Sequence, residues 1–271
     1  MRPALADVRG CVETGGGDDM VAPERELAGR VALVTASSGG IGRVIALTLA
    51  RAGADVAVNY HAHAEAGDAV AAEAEALGVR SAAFGADGAK ADEVRAMVAA
   101  VEARLGRVDV LVNNVGEFAY KPAARHSDAD FARIIDGTIG ATFYTTMAVL
   151  PGMRKRRWGR VVSIGASGAG QALGSRNEGP HLAGKAAVVS LTRTLALEEG
   201  RRGITFNVVC PGIVNDRRLS RAEAEGMQDK DSPVGRPGTS EDIADAVRFL
   251  VRPSSSFING AVLDVTGGWY G

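Results

Sequence analysis

The sequence predicts an α/β protein in which one doubly wound parallel sheet is covered by helices on both faces. Short β-branched runs alternate with Ala-rich helical stretches from Arg30 onward, the pattern of repeated strand–helix–strand units. Most of those runs are continuously apolar, as strands covered on both faces must be. The first run also ends in a glycine-containing turn that opens a helix, an arrangement suited to a ligand at the C-terminal edge of the sheet. Seven strands are expected, at Val31–Thr35, Asp55–Asn59, Arg80–Gly85, Val108–Asn113, Arg160–Ile164, Thr205–Cys210 and Ala261–Val265. Between them, helices are expected near 41–52, 64–77, 90–105, 127–156, 181–200 and 240–251. Ser127 and Asp130 form a Ser-x-x-Asp start to the fourth helix, with Asp in place of the usual Glu or Gln. Ser240 before Glu241-Asp242 puts acidic side chains in the positive first turn of the last helix. The segments Gly165–Pro180 and Asn215–Gly238 read as irregular and fall after strand ends, where the ligand crevice of such a sheet lies.

No repeat or shift of composition divides the chain. One domain is therefore expected over 28–271, after a flexible tail at 1–27 containing Gly15-Gly16-Gly17-Asp18-Asp19. The 271 residues carry 31 basic and 32 acidic side chains, so no global field favours nucleic acid or an anionic membrane. No apolar run approaches the roughly 18 residues of a membrane span. With only Cys11 and Cys210, neither a disulfide framework nor a cysteine-based metal site is expected. A soluble, cytoplasmic protein fits these features.

The turn Thr35-Ala36-Ser37-Ser38-Gly39-Gly40-Ile41-Gly42 joins the first strand to a helix. Glycines let a backbone approach a pyrophosphate, and the helix start offers free N–H groups and a positive dipole end. Asp87 ends the third strand, where a carboxylate can accept an adenine amino group. Asn113-Asn114-Val115-Gly116 ends the fourth strand and Pro211-Gly212 the sixth. Together these residues resemble the short-chain dehydrogenase/reductase family, and the resemblance covers nearly everything after the tail. It implies a single Rossmann-like domain with a seven-stranded parallel sheet, a small-molecule substrate and a homotetramer or dimer. It also assigns dinucleotide contacts to Thr35, Ser37, Ser38, Gly40, Ile41, Gly42, Tyr60, His61, Asp87, Gly88, Asn113, Gly116, Lys185, Pro211, Gly212 and Val214.

Departures from the family pattern begin in this site. Ala36 replaces the first family glycine, adding a methyl group beside the cofactor. Asp216 stands where the family has a Thr meeting the nicotinamide carboxamide or a phosphate, and a carboxylate facing pyrophosphate repels it. The acid that holds the ribose 2′-hydroxyl of NAD is absent: Tyr60 takes its position and His61 follows. NADP(H) is therefore favoured over NAD(H), although Gly39 lacks the basic side chain of many NADP enzymes.

The family's chemistry uses Asn, Ser and Tyr-x-x-x-Lys, in which Lys holds the ribose, Tyr exchanges the proton and Ser orients the carbonyl. The flanking residues put Thr138 at the Asn position, Ala166 at Ser, His181 at Tyr and Lys185 at Lys. His181 and Lys185, four apart, share one helix face. His181 is the candidate proton donor, but a nearby ammonium disfavours imidazolium, so a compensating carboxylate is needed and Glu178 is the candidate. Lys185 is the only Lys between 156 and 229 of an Arg-biased chain, and ribose contact is its expected role. Thr138 reads as a packed helix Thr or a partial replacement for Asn. Ser167, Ser175 and Tyr144 are alternative hydroxyl sources, and Ser163 reads as facing a neighbouring helix. Glu117, Phe118 and Tyr120 are pocket or plain loop residues. His126 and the 154–157 basic run read as solvent-exposed, and Trp269 and Tyr270 as packing or subunit contacts.

Three functions fit this pattern. A noncanonical NAD(P)H-dependent reductase acts on an activated carbonyl or conjugated C=C of a small molecule or thioester, in specialised biosynthesis. A catalytically silent homologue serves as a binding or scaffold subunit beside an active relative. A third use of the crevice involves no net redox, as in isomerisation or dehydration.

Overall fold

The computed structural model of the chain describes residues 25–214 and 218–269. Its sheet is built from β1 (Val31–Val34), β2 (Asp55–Tyr60), β3 (Ser81–Gly85), β4 (Val110–Asn113), β5 (Gly159–Ile164), β6 (Ile204–Pro211) and β7 (Val262–Val265). All seven pair in parallel in the order β3-β2-β1-β4-β5-β6-β7. The order reverses between β1 and β4, which opens a crevice above their C-terminal ends.

Side chains alternate across each strand and so sort into two apolar layers. Ala32, Val34, Val110 and Val112 face α1 (Gly40–Arg51), α2 (Ala64–Ala76) and α8 (Ser240–Val251). Val31, Leu33 and Leu111 join the opposite layer with α3 (Ala91–Leu105), α5 (Ala141–Arg156) and α6 (Gly179–Glu199). Two further helices are α4 (Asp128–Ile135) and the short α7 (Arg221–Glu225). Fully buried Leu33, Leu150, Met153 and Phe206 each contribute about 2 kcal/mol of transfer free energy.

The structure refines several of these expectations. The helix expected over 127–156 forms over 128–156, but a π-helical turn at Asp136–Gly140 divides it into α4 and α5. Gly137 permits this wide turn to pack directly on Glu117, whose side chain fills the place of a Cβ. Glu241 and Asp242 stand in the first turn of the last helix, as expected, and Thr239 caps it: Thr239 Oγ1 accepts from Asp242 N, and the Asp242 carboxylate accepts from Thr239 N at 2.9 Å. Within the segment read as irregular, Ser220 and Glu223 form the same reciprocal cap and start α7. At the N-terminus, the tail expected at 1–27 overlaps the fold. Leu27 is fully buried, and Glu26 pairs with Arg248 at 2.8 Å and Arg252 at 3.0 Å. The fold therefore includes residues 25–27. Cys11 and the glycine run at 15–17 lie outside the described residues, as do Asp216 and Tyr270.

The basic run is a largely exposed helix end, as read, and two of its residues also anchor it. Arg154 clamps buried Glu199 through two bonds at 3.0 and 2.6 Å, and Arg157 donates to Arg201 O at 2.9 Å. His126 is not solvent-facing at its polar atoms, since both ring nitrogens are shielded.

Candidate active site

A crevice of about 720 Å³ runs along the C-terminal ends of the strands. One end lies over β2 and β3, and the other lies between the loops after β4, β5 and β6. At the first end the turn after β1 is held by polar latches. Ser37 Oγ donates to Val34 O at 2.7 Å and accepts from Asn59 N at 3.1 Å. Asn59 Oδ1 accepts from Ala36 N at 3.0 Å, while its amide group donates to Tyr60 O, Phe84 O and Ala86 O. Thr35 Oγ1 accepts from Asn114 N and Val115 N, tying β1 to the turn after β4. Asn114 completes that tie by donating to Thr35 O and Ala36 O, both at 3.1 Å.

These latches hold Ala36 at φ +48°, in the left-handed region that a side chain enters at a cost of about 1 kcal/mol. A Cβ at Gly42 would lie 2.5 Å from Ala36 O and 2.6 Å from Asn114 Nδ2, so no larger residue fits there. Among the described residues no side chain caps the start of α1, and none occupies the space above Gly39. Uncapped helix-start N–H groups beside open space fit a dinucleotide pyrophosphate.

Beyond the turn, His61 lines the crevice with its side chain 70% exposed, its Nε2 3.9 Å from Asp87 Oδ2. Asp87 Oδ1 accepts from Ala89 N at 3.0 Å, and Lys90 Nζ lies 3.8 Å from Oδ2. Tyr60 does not reach the crevice. Its ring packs over Gly67, where a Cβ would lie 2.7 Å from it, and over Gly85, where a Cβ would lie 3.1 Å away.

At the opposite end, α6 supplies His181 and Lys185. Lys185 is buried and donates from Nζ to Ile164 O at 2.7 Å. Burial pushes its pKa down to about 8, slightly offset by the nearby Cys210 sulfur. His181 Nδ1 lies 2.8 Å from Glu117 O, and the Phe118 ring stands at 90° to the imidazole with centroids 5.1 Å apart. Burial holds the His181 pKa below its usual value; the Glu117 carbonyl opposes that shift, and the Lys185 ammonium reinforces it. Glu178 caps α6 with its carbonyl, which accepts from Leu182 N, so the group that meets His181 Nδ1 is Glu117 O. Thr138, fully buried in the π-helical turn, accepts through Oγ1 from Glu117 N at 3.3 Å. Ala166 lines the crevice with a methyl group. Ser167 donates N–H to Pro211 O, and its hydroxyl is buried away from any partner among the described residues.

Of the residues expected from the sequence, Ile41, His61, Asp87, Gly88, Gly116, His181, Lys185, Pro211, Gly212 and Val214 line this one crevice. Thr35, Ser37 and Thr138 act one layer back, holding the loops, while Ser38, Gly40 and Gly42 shape the turn. Asn113 is turned inward, donating to Thr146 Oγ1 at 3.1 Å and Ser163 Oγ at 3.4 Å. Ser163 is the in-register partner of Asn113 and shares the sheet face of Val161, so it looks toward the α3–α5–α6 layer, as read from the sequence. Glu117 and Phe118, read as pocket or loop residues, also line the crevice, whereas Asn59, Arg133 and Asp136 were not anticipated as site residues. Asn59 left a signal: a polar residue inside an otherwise apolar strand run.

The sequence profile of the family described as Enoyl-(Acyl carrier protein) reductase matches residues 35–270. The 3-oxoacyl-[acyl-carrier-protein] reductase FabG of Staphylococcus epidermidis is 39% identical over 243 residues, covering 88% of this chain and 98% of that relative. FabG of Pseudomonas aeruginosa is 36% identical over 247 residues, covering 90% and 98%. Among solved structures, a blue fluorescent protein from a metagenomic library, in complex with NADPH, superposes with a TM-score of 0.80 at 35% identity. That match covers 91% of this chain and all of the neighbour. The chain belongs to the short-chain dehydrogenase/reductase family of NAD(P)-dependent oxidoreductases.

Proposed function

We propose that the protein is a noncanonical reductase of an activated carbonyl or a conjugated C=C, in a small molecule or thioester, with NADP(H) preferred over NAD(H). The observation that carries this reading is the composition of the crevice wall around His181. That wall presents an imidazole, a buried ammonium, an aromatic ring and the Ala166 methyl, with neither a Tyr nor a Ser hydroxyl among the described residues. Bound in the crevice, a nicotinamide cofactor supplies or takes the hydride. The helix-start N–H groups of α1 hold its pyrophosphate, Asp87 its adenine and Lys185 its ribose. His181 exchanges the substrate proton. Held neutral by burial, it is a weak acid near pH 7, so a substrate that needs little protonation suits it.

Phe118 and Ala166 give the substrate end an apolar face beside its charged groups, and relatives named 3-oxoacyl-[acyl-carrier-protein] reductase favour a thioester ketone within this class. Preference for NADP(H) rests on His61 at the crevice, with no carboxylate at 60 or 61 to receive a free 2′-hydroxyl. A homotetramer or dimer in the cytoplasm, serving specialised biosynthesis, completes the reading. Among the described residues no helix is long and apolar enough to cross a membrane.

The strained Ala36 and the missing Ala166 hydroxyl favour a second reading, a silent homologue that binds a relative. Titration of the purified protein with NADPH and NADH separates the two. Micromolar binding of NADPH, weaker binding of NADH and turnover of β-keto or enone thioesters are expected. Failure of both cofactors to bind at millimolar concentration overturns the reductase.

A further inference from the structure

We propose that Thr138 and the main chain of Glu117 form a relay that fixes the tautomer of His181 and makes Nε2 the nitrogen that exchanges a proton with substrate. Its catalytic meaning rests on the reading of the crevice as a reductase site; the tautomer itself does not.

A neutral imidazole has one N–H donor and one bare acceptor, and the partner of one nitrogen decides which is which. A carbonyl oxygen only accepts, so the 2.8 Å contact with Glu117 O requires hydrogen on Nδ1. Nε2 is then bare. The carbonyl is itself held in place, because Glu117 N donates to Thr138 Oγ1 at 3.3 Å. Thr138 has no freedom to drift: its carbonyl accepts from Thr142 Oγ1 at 2.8 Å, and its methyl side faces Gly184 of α6, where a Cβ would come within 3.2 Å. The Phe118 ring at 90° restricts rotation of the imidazole. Thr138 is therefore a positioning residue that acts through Glu117.

Besides Asp87 at the far end, four charged groups among the described residues line the crevice with His181. Lys185 stands one turn along the same helix, Glu117 turns its carboxylate to Arg133, and Asp136 comes from the π-helical turn. None of them replaces the carbonyl on Nδ1. The resting neutral site is thus set to accept a proton. In the alcohol direction Nε2 takes the hydroxyl proton as the O–H bond breaks, while hydride leaves carbon for the oxidised cofactor. In the reverse direction imidazolium returns that proton to the oxygen. Alcohol oxidation should rise with pH as His181 loses its proton, and carbonyl reduction should fall over the same range.

The test is long-range nitrogen–proton NMR on the full-length chain labelled at its four histidines, with His181 assigned by its disappearance in His181→Gln. The wild type should show neutral His181 with hydrogen on Nδ1 and none on Nε2. Thr138→Val, which keeps the shape and removes the acceptor, should move the population toward Nε2–H, lower kcat about tenfold and flatten the pH profile. Thr138→Ser should restore both. A wild type with hydrogen on Nε2 overturns the relay without any variant, as does a folded Thr138→Val that alters neither tautomer nor pH profile. Because the spectrum needs no turnover, it distinguishes failure of the relay from failure of the reductase reading.

Discussion

The two ends of the crevice reach the same cleft by different means. At the β2–β3 end, Thr35, Ser37, Asn59 and Asn114 spend their polar atoms on neighbouring backbone, so the ligand surface there is mostly main chain. At the end between β5 and β6, side chains form the surface: a buried ammonium, an imidazole and an aromatic ring. A backbone-built end tolerates change in side-chain identity so long as the latches persist. A side-chain-built end changes its chemistry with every substitution.

Breaking the side-chain end should give the largest effects. Lys185→Met should reduce turnover by about a thousandfold, within the range of proton-transfer and positioning groups. The same change should stabilise the ligand-free fold. The folded Lys185 pKa of about 8 lies below its unfolded value of 10.5, so the unfolded chain binds the proton more tightly. The resulting cost, about 3 kcal/mol, is fully present below pH 8 and fades as pH rises toward 10.5. Urea unfolding at pH 7 and pH 10 should show a large gain for Lys185→Met at the lower pH and little at the higher. Equal gains at both would show that burial of charge is not the cause.

His181→Ala should lower kcat by about a hundredfold while leaving cofactor affinity unchanged. Unaltered turnover would place the proton donor on the substrate or in solvent. Breaking the backbone end needs only a methyl group. Gly42→Ala drives a Cβ into Ala36 O and Asn114 Nδ2, and should weaken NADPH binding about tenfold with kcat preserved at saturation. A fluorescence titration with an unchanged Kd would show that the turn relaxes freely. Ala36→Gly sharpens the comparison from the opposite side. It should relieve the left-handed strain and raise stability by about 1 kcal/mol, less the entropy glycine returns to the unfolded chain. A lower Tm would mean that the Ala36 methyl packs usefully.

The sheet was legible because strands covered on both faces must be apolar throughout, and all seven runs in the sequence became strands. The turn from Thr35 to Gly42 was legible through its glycines. Side-chain direction at the strand ends was less so. Tyr60, matched by position to a ribose-holding acid, faces away because the bare backbones of Gly67 and Gly85 leave a slot for its ring. Asn113 fits a cofactor motif, yet its amide serves Thr146 and Ser163. The partner of His181 was assigned to the carboxylate of Glu178, nearby in sequence, whereas the fold delivers the main chain of Glu117 from 64 residues away. Carbonyl groups carry no signature in a sequence, since every residue has one.

The π-helical turn at Asp136–Gly140 amounts to one extra residue in an otherwise continuous helix. Each helical residue turns the chain by about 100°. Excising a single residue there would leave helix on both sides, and core packing could survive, but everything upstream would rotate by about that angle relative to α5. Arg133 and Asp136 would swing off the crevice wall, and the register holding Thr138 beneath Glu117 would be lost. A one-residue deletion that spares the fold would thus rebuild the substrate wall, making this turn a place where the length of the chain, rather than the identity of any side chain, sets what the crevice accepts.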